Sequence, residues 1–267
     1  MADSESWLER LELQWPTHER AHYGPAEEAV YADVMDVLAR DGVPYLLAGA
    51  FALNAHTGVW RSTKDLDFFL RPGDLEAAYA SLERAGYEIE VLDPVWLSKA
   101  WRDGVFIDMI HANANGLMPV DDSWYDHART VKLFGRDVLV APAEEVILSK
   151  MFVAARERYD GADILHFLYA AEGRLDWDRL LTKAASHTGL LLGYFHHFQY
   201  AYPAFAHYVP PEVMARAEKQ AAEARLEDCF RGRLIDPVQF SVDVDVFKLP
   251  DERARVRAEA KRAPDVA

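Results

Sequence analysis

The sequence predicts an α+β protein: a small mixed β-sheet core flanked by helices, followed by a helical C-terminal half. Three observations predict it. Short apolar or alternating runs, separated by helical segments, fill residues 25–141. From Pro142 onward the pattern changes to Ala- and Leu-rich stretches with helical spacing. A composition of 51% hydrophobic and 27% charged residues is that of a globular chain able to bury a core.

The elements follow in order. Residues 1–25 carry Trp7, Leu8, Leu11, Leu13 and Trp15 among charges and read as an N-terminal arm or short helix packed on the body. Residues 27–41 place Ala29, Val30, Val34, Val37 and Leu38 at helical spacing, and Asp41-Gly42 ends that helix. VPYLLAG, residues 43–49, is short, apolar and closed by glycine, the pattern of a buried strand. A short helix then ends near Gly58. KDLDFFL, residues 64–70, alternates as a strand does, and Pro72-Gly73 breaks the chain. Residues 74–85 read as a helix, residues 87–92 and 105–111 as strands, and residues 130–141 as a hairpin turning at Gly135-Arg136. Beyond it, residues 142–155, 161–171, 176–186, 188–206 and 211–228 read as helices. The expected division is an arm over 1–25, a core over 26–141, a helical domain over 142–235 and a tail over 236–267.

Composition narrows the function. The 267 residues carry 29 basic and 44 acidic side chains, a net charge of −15, which argues against a broad electrostatic footprint for nucleic acid. No apolar run is long enough for a transmembrane helix, and the acidic first 20 residues do not read as a signal peptide, so no membrane partner is expected. The single cysteine, Cys229, cannot form an internal disulfide and fits a reducing, cytoplasmic setting.

Asp65 and Asp67 lie two apart on a strand, so both carboxylates point to one face. Close carboxylates repel each other and are tolerated where a cation sits between them. Mg²⁺ prefers such oxygen ligands. Asp108 stands alone in an otherwise apolar strand, where an unpaired carboxylate is costly. If its strand neighbours that of Asp65 and Asp67, three carboxylates converge, an arrangement that holds two metals about 4 Å apart in phosphoryl-transfer sites. Upstream, Gly49 follows a strand and opens a helix, where phosphate can approach the backbone. Arg61 and Lys64 precede the pair and have the reach for phosphate oxygens.

The stretch AGAFALNAHTGVWRSTKDLDFFL, residues 48–70, resembles the signature of the DNA polymerase β-like nucleotidyltransferase superfamily. Arg61-Ser62-Thr63-Lys64-Asp65-Leu66-Asp67 resembles its narrower branch of AbiEii-like toxins and minimal and aminoglycoside nucleotidyltransferases. Residues 142–167 resemble the downstream helical element of the toxin-like group, which falls on Lys150, Arg156 or Arg158, Asp160 and Asp163. The resemblance spans residues 43–168 and implies a nucleotidyltransferase core that transfers an NMP unit from an NTP, ATP among them, to an acceptor hydroxyl. It implies Mg²⁺, in a two-metal site, on Asp65, Asp67 and Asp108. Gly49 and Ala50 are implied to cradle phosphates, Lys150 to contact the triphosphate, and Asp163 to orient Lys150 or the nucleotide. The implied acceptor is RNA or tRNA, a protein side chain or a small hydroxylated molecule, and the toxin-like branch implies an antitoxin partner. Ala50 stands where the family usually has Ser or Gly, removing one phosphate-contacting hydroxyl. The alternative is therefore a non-catalytic nucleotide-binding or interaction protein on the same fold.

Other features read as structural. His196, His197 and His207 lie in an aromatic-rich helix whose Tyr194, Phe195, Phe198, Tyr200, Tyr202 and Phe205 suit a core. Asp126-His127 lacks a nearby serine motif. Asp121-Asp122 reads as a turn, and Asp243-Val244-Asp245 as an exposed strand.

Overall fold

The computed structural model describes residues 23–60, 63, 65–224 and 229–262. The expected N-terminal arm lies, up to residue 22, outside the described residues. The chain divides into two compact units, one running to Pro142 and taken up again from Ala260, the other Ala143–Glu259.

The first unit is built on a seven-stranded mixed sheet. Its helices and strands are α1 (Pro25–Arg40), β1 (Leu46–Leu47), α2 (Gly49–Thr57), β2 (Leu66–Phe69), α3 (Leu75–Arg84), β3 (Glu88–Asp93), β4 (Leu97–Arg102), β5 (Val105–Ile110), α4 (Asp122–Asp126), β6 (Arg129–Leu133) and β7 (Arg136–Val140). The strand order is β3-β4-β5-β2-β1-β7-β6. β2 runs parallel to β5, β1 runs parallel to β7, and the other neighbours are antiparallel.

Local chemistry explains the elements. α1 starts with Pro25, whose missing N–H costs nothing at a helix start. The Gly24 N–H donates to Glu27 Oε2 at 2.8 Å, which satisfies a donor the helix cannot use. The face of α1 carrying Val30, Tyr31, Val34 and Leu38 is buried. One face of the sheet centre is apolar: Leu47, Leu66, Phe68, Ile107 and Met109 are all nearly inaccessible, while Asp67 and Asp108 lie on the other face. α2 ends at Gly58, which takes the left-handed conformation (φ 71°) usual after a helix.

Several expectations are corrected. The strand expected over 43–49 pairs only at Leu46 and Leu47, because Ala48 and Gly49 already turn into α2. The segment LSKAWR, not expected as a strand, forms β4 and joins β3 to β5. The hairpin turns at Phe134-Gly135, so that Arg136 is the first residue of β7. Asp121 does not sit in a simple turn: it caps α4 by accepting the Ser123 N–H at 2.9 Å.

The second unit is helical, with α5 (Ala143–Met151), α6 (Gly161–Ala171), α7 (Trp177–Ala184), α8 (Thr188–Ala201), α9 (Pro211–Glu223), α10 (Gly232–Ile235), α11 (Ser241–Asp245) and α12 (Glu252–Ala260). Pro203 stops α8 short of residue 206 and opens a 3₁₀ turn, Pro203–Tyr208. Asp243 and Asp245 lie on the short helix α11, not on a strand. Val242 and Val246 are four apart, a helical as much as an alternating spacing. Glu145, fully buried, is paired with Arg179 and lies 3.4 Å from Lys183, tying α5 to α7. No helix among the described residues is long and apolar enough to cross a membrane.

Candidate active site

Parallel pairing of β2 with β5 aligns Asp67 with Asp108 in register. Asp65 lies two residues before Asp67 and therefore on the same face. The three carboxylates each offer an oxygen, all within 4.8 Å of one another, and each residue is half-buried. Among the described residues this is the one group of three or more His, Cys, Asp or Glu side chains placed to share a metal ion. The strand adjacency that the Asp108 argument needed is therefore present.

The carboxylates are held from behind. The Ala48 N–H donates to the Asp67 carbonyl at 2.9 Å, joining the start of α2 to β2. Gly49 is in the left-handed region at φ +57°, and a Cβ there would lie 1.7 Å from Asp67 Oδ2. Only glycine lets the carboxylate lie against the start of α2. The first-turn N–H groups of Gly49 and Ala50 belong to the positive end of that helix, which favours anions nearby. Thr63 Oγ1 donates to Asp65 Oδ1 at 2.7 Å and orients it.

The site contains residues that the sequence reading did not single out. Lys99, at the register position on β4 opposite Asp108, places Nζ 2.5 Å from Asp108 Oδ1. Tyr31, fully buried on α1, feels the charge of both Asp65 and Asp67. Burial, then Asp65, Glu27 and Asp67, push its hydroxyl up to about 12. Thr63 was visible only as a position inside the Asp-x-Asp motif. Lys99 gave no signal, since its partner is created by a strand pairing.

The remaining expected residues fall elsewhere. Arg61 and Lys64 lie outside the described residues. Lys150 and Asp163 belong to the second unit, where Lys150 Nζ sits 2.8 Å from Asp163 and 2.9 Å from Asp160. Burial raises Asp160, but Lys150 and Arg158 outweigh it and hold the carboxyl below its ordinary value. Asp163 and Lys150 thus meet. Arg158 reaches Asp160 at 3.3 Å, while Arg156 donates its backbone N–H to Asp236. His196, His197 and His207 form no ligand cluster among the described residues. Tyr194, Phe195 and Phe198 are buried in the helical core, whereas Tyr200 is exposed.

The donor set suits a hard divalent cation. It consists of three carboxylates with no sulfur or imidazole, converging where a methyl group would not fit. Uncompensated, three carboxylates so close would repel strongly.

Comparison with known proteins places the chain. No curated protein matches it. Among solved structures it is similar to the antibiotic-resistance factor ANT(2'')-Ia in solution, at 16% identity over 66% of this chain and 98% of that one, with a TM-score of 0.45. ANT(2'')-Ia in complex with adenylyl-2''-tobramycin gives 16% identity over 60% and 96%, with a TM-score of 0.44. The lincomycin-bound lincosamide antibiotic adenylyltransferase LnuA gives 18% over 53% and 94%, with a TM-score of 0.38. A family model described as uncharacterised nucleotidyltransferase matches residues 31–200, which include α2, the whole sheet and the three carboxylates. With more than half of its length matched, the chain belongs to this family of uncharacterised nucleotidyltransferases.

Proposed function

We propose that the protein is a Mg²⁺-dependent nucleotidyltransferase that moves an NMP unit from an NTP, ATP among them, to a hydroxyl of a small, amine-bearing acceptor. The observation that carries this reading is the convergence of Asp65, Asp67 and Asp108 against the start of α2. Asp65 and Asp67 would hold the cation. When bound, the cation supplies charge neutralisation on the triphosphate and lowers the pKa of the attacking hydroxyl.

The chain's own residues do the rest. The Gly49 and Ala50 N–H groups donate to phosphate oxygens at the positive end of α2. Ala50 offers no hydroxyl, so this contact is made by backbone alone. Thr63 fixes the direction of Asp65. Asp108 faces the reacting oxygen and takes up its proton as that oxygen attacks the α-phosphorus. The new acceptor O–P bond forms, the bridging Pα–O bond breaks and pyrophosphate leaves in line. Lys150, steadied by Asp163 and Asp160, keeps the triphosphate-contacting role that the resemblance implies, with Arg61 and Lys64 as further phosphate contacts.

The net charge of −15 supports a small cationic acceptor over a polyanion. The sheet face that carries the triad continues, in register, through Lys99 to Glu90 on the edge strand. The test is incubation with Mg²⁺ and each α-³²P-labelled NTP, with aminocyclitol, amino-sugar and polyamine-alcohol acceptors or with total RNA. The Asp65→Asn/Asp67→Asn variant runs alongside. Label on an amine-bearing small molecule, absent in the variant, supports the reading. Label on tRNA-sized RNA would instead favour the AbiEii-like toxin branch and an antitoxin partner. Nucleotide binding that neither needs metal nor yields labelled product would overturn catalysis.

A further inference from the structure

We propose that the outer part of the sheet face carrying Asp67 and Asp108 is the acceptor subsite, and that it selects acceptors whose amine is borne on a ring: the ring stacks on Trp101 and the ammonium sits at Glu88 and Glu90. The inference rests on the transferase reading above and specifies which amine-bearing acceptors the site takes.

The register puts these residues beside the carboxylates. Asp108 is aligned with Lys99 and Lys99 with Glu90, while Phe106 is aligned with Trp101 and Trp101 with Glu88. Residues two apart on a strand share a face, so Trp101, Glu88 and Glu90 lie on the face of Asp108. The opposite face is closed: Ser98, Ala100, Ile107 and Met109 are inaccessible. On the face of Asp108, Trp101 and Phe106 are half-buried, and Glu88 and Glu90 are exposed. A cleft of about 640 Å³ is lined by Glu88, Glu90, Trp101 and the turn at Asp103-Gly104. With strands about 4.8 Å apart and a rise of about 3.3 Å per residue, the Trp101 backbone lies about 8 Å from that of Asp108, and the Glu90 backbone about 10 Å. An acceptor about 10 Å long therefore keeps its amine in the cleft while its hydroxyl meets Asp108.

Trp101 is held as a plate. Its Nε1–H donates to Glu90 Oε2 at 2.9 Å, and its ring leans on Phe106 with the centroids 4.7 Å apart. Little reorganisation is then needed when a ligand stacks on it, and an indole is the best of the aromatic faces for an ammonium. The charge also suits a cation, because Glu88, Glu90 and Asp103 all line the cleft. The two cations of β4 are engaged elsewhere: Lys99 with Asp108, and Arg102 with Asp33 at 2.6 Å and with the Tyr87 ring. Such a lining repels phosphate groups, so the nucleotide does not belong in this cleft. A ring is favoured over an open chain because it offers Trp101 a flat apolar face and has fewer rotamers to freeze.

Isothermal titration calorimetry on the full-length protein, with Mg²⁺ and a non-hydrolysable ATP analogue present, tests this with two matched probes. 2-Deoxystreptamine carries two amines on a hydroxylated ring, and 1,3-diamino-2-propanol carries two amines and a hydroxyl on an open chain. The wild type is expected to bind the ring probe about tenfold more tightly than the chain. Trp101→Ala and Trp101→Leu are expected to abolish that preference, and Trp101→Phe, which keeps a ring, to retain most of it. Glu88→Gln/Glu90→Gln is expected to weaken both probes by about fivefold, and added salt to weaken the wild type more than this variant. Circular dichroism identifies a Trp101 variant that fails to fold, and Trp101→Phe and the exposed glutamates then carry the comparison. Equal affinity of the wild type for the two probes, binding of neither, a preference that survives in folded Trp101→Leu, or wild-type affinities in Glu88→Gln/Glu90→Gln would overturn the subsite and leave the transferase reading standing. Loss of ATP-analogue binding in folded Trp101→Leu would also overturn it, by assigning the plate to the base. A wild type that binds no ATP analogue with Mg²⁺ would overturn the transferase reading and this inference with it.

Discussion

Replacing Gly49 by alanine separates the position of Asp67 from its chemistry. The added Cβ would lie 1.7 Å from Asp67 Oδ2, 2.6 Å from its Cγ and 3.0 Å from its Cβ. Ordinary contacts settle near about 3.5 Å, so the carboxylate must retreat by well over an ångström or the start of α2 must move. A misplacement of about 1 Å costs a catalytic constellation on the order of 10²-fold. The backbone adds a second cost, because alanine at φ +57° is strained by about 1–2 kcal/mol. Gly58→Ala is the matched control: Gly58 has φ +71° with nothing within 4 Å of the added Cβ, so only the strain applies. Thermal unfolding, Mn²⁺ binding and label transfer would be measured on both variants. Both should lose about 1–2 kcal/mol or more of stability. Only Gly49→Ala should lose roughly 10²-fold in transfer rate and weaken metal binding as well. A folded Gly49→Ala protein with wild-type metal affinity and transfer rate would refute the claim that Asp67 needs the space at Gly49.

Three further outcomes follow from other contacts. Thr63→Val removes the donor that orients Asp65 and should weaken Mn²⁺ binding by about 10- to 100-fold without lowering the melting temperature; unchanged affinity would count against it. His56, whose Nε2 donates to the Ala141 carbonyl at 2.7 Å, is held neutral by burial, with its pKa lowered to about 4. The unfolded chain takes up that proton first, below its ordinary 6.5. Stability is therefore lost as pH falls from 6.5 toward 4, by up to about 3 kcal/mol, and urea titrations at pH 7.5 and 4.5 should show a smaller drop for His56→Gln than for the wild type. Glu145→Ala leaves Arg179 and Lys183 without the buried carboxylate between them and should cost about 3–5 kcal/mol in chemical denaturation; a loss below about 1 kcal/mol would show that the pair is solvated.

Much of the site is local in sequence and so was legible there. Asp65 and Asp67 obey the two-residue period of a strand, and Gly49 sits where a strand turns into a helix. Asp108 was legible as an anomaly, a lone carboxylate among Phe106, Ile107, Met109 and Ile110. Its meeting with Asp67, however, depends on a parallel pairing, reached through α3, β3 and β4, that no local pattern encodes. β4 was missed because LSKAWR does not alternate, and because its burial comes from strands on both sides. Lys99 was missed with it: within its own segment it reads as a solvated charge, and only the turn at Asp103-Gly104 folds it onto Asp108. The error at Asp243 and Asp245 has the opposite origin. Five residues are too few to distinguish a period of two from one of 3.6.

The most direct test is anomalous diffraction from crystals grown with Mn²⁺ and a non-hydrolysable NTP analogue. The account predicts a Mn²⁺ peak at Asp65 and Asp67, with triphosphate density against the Gly49 and Ala50 N–H groups. Nucleotide bound away from the start of α2, or no Mn²⁺ peak at Asp65 and Asp67, would contradict it.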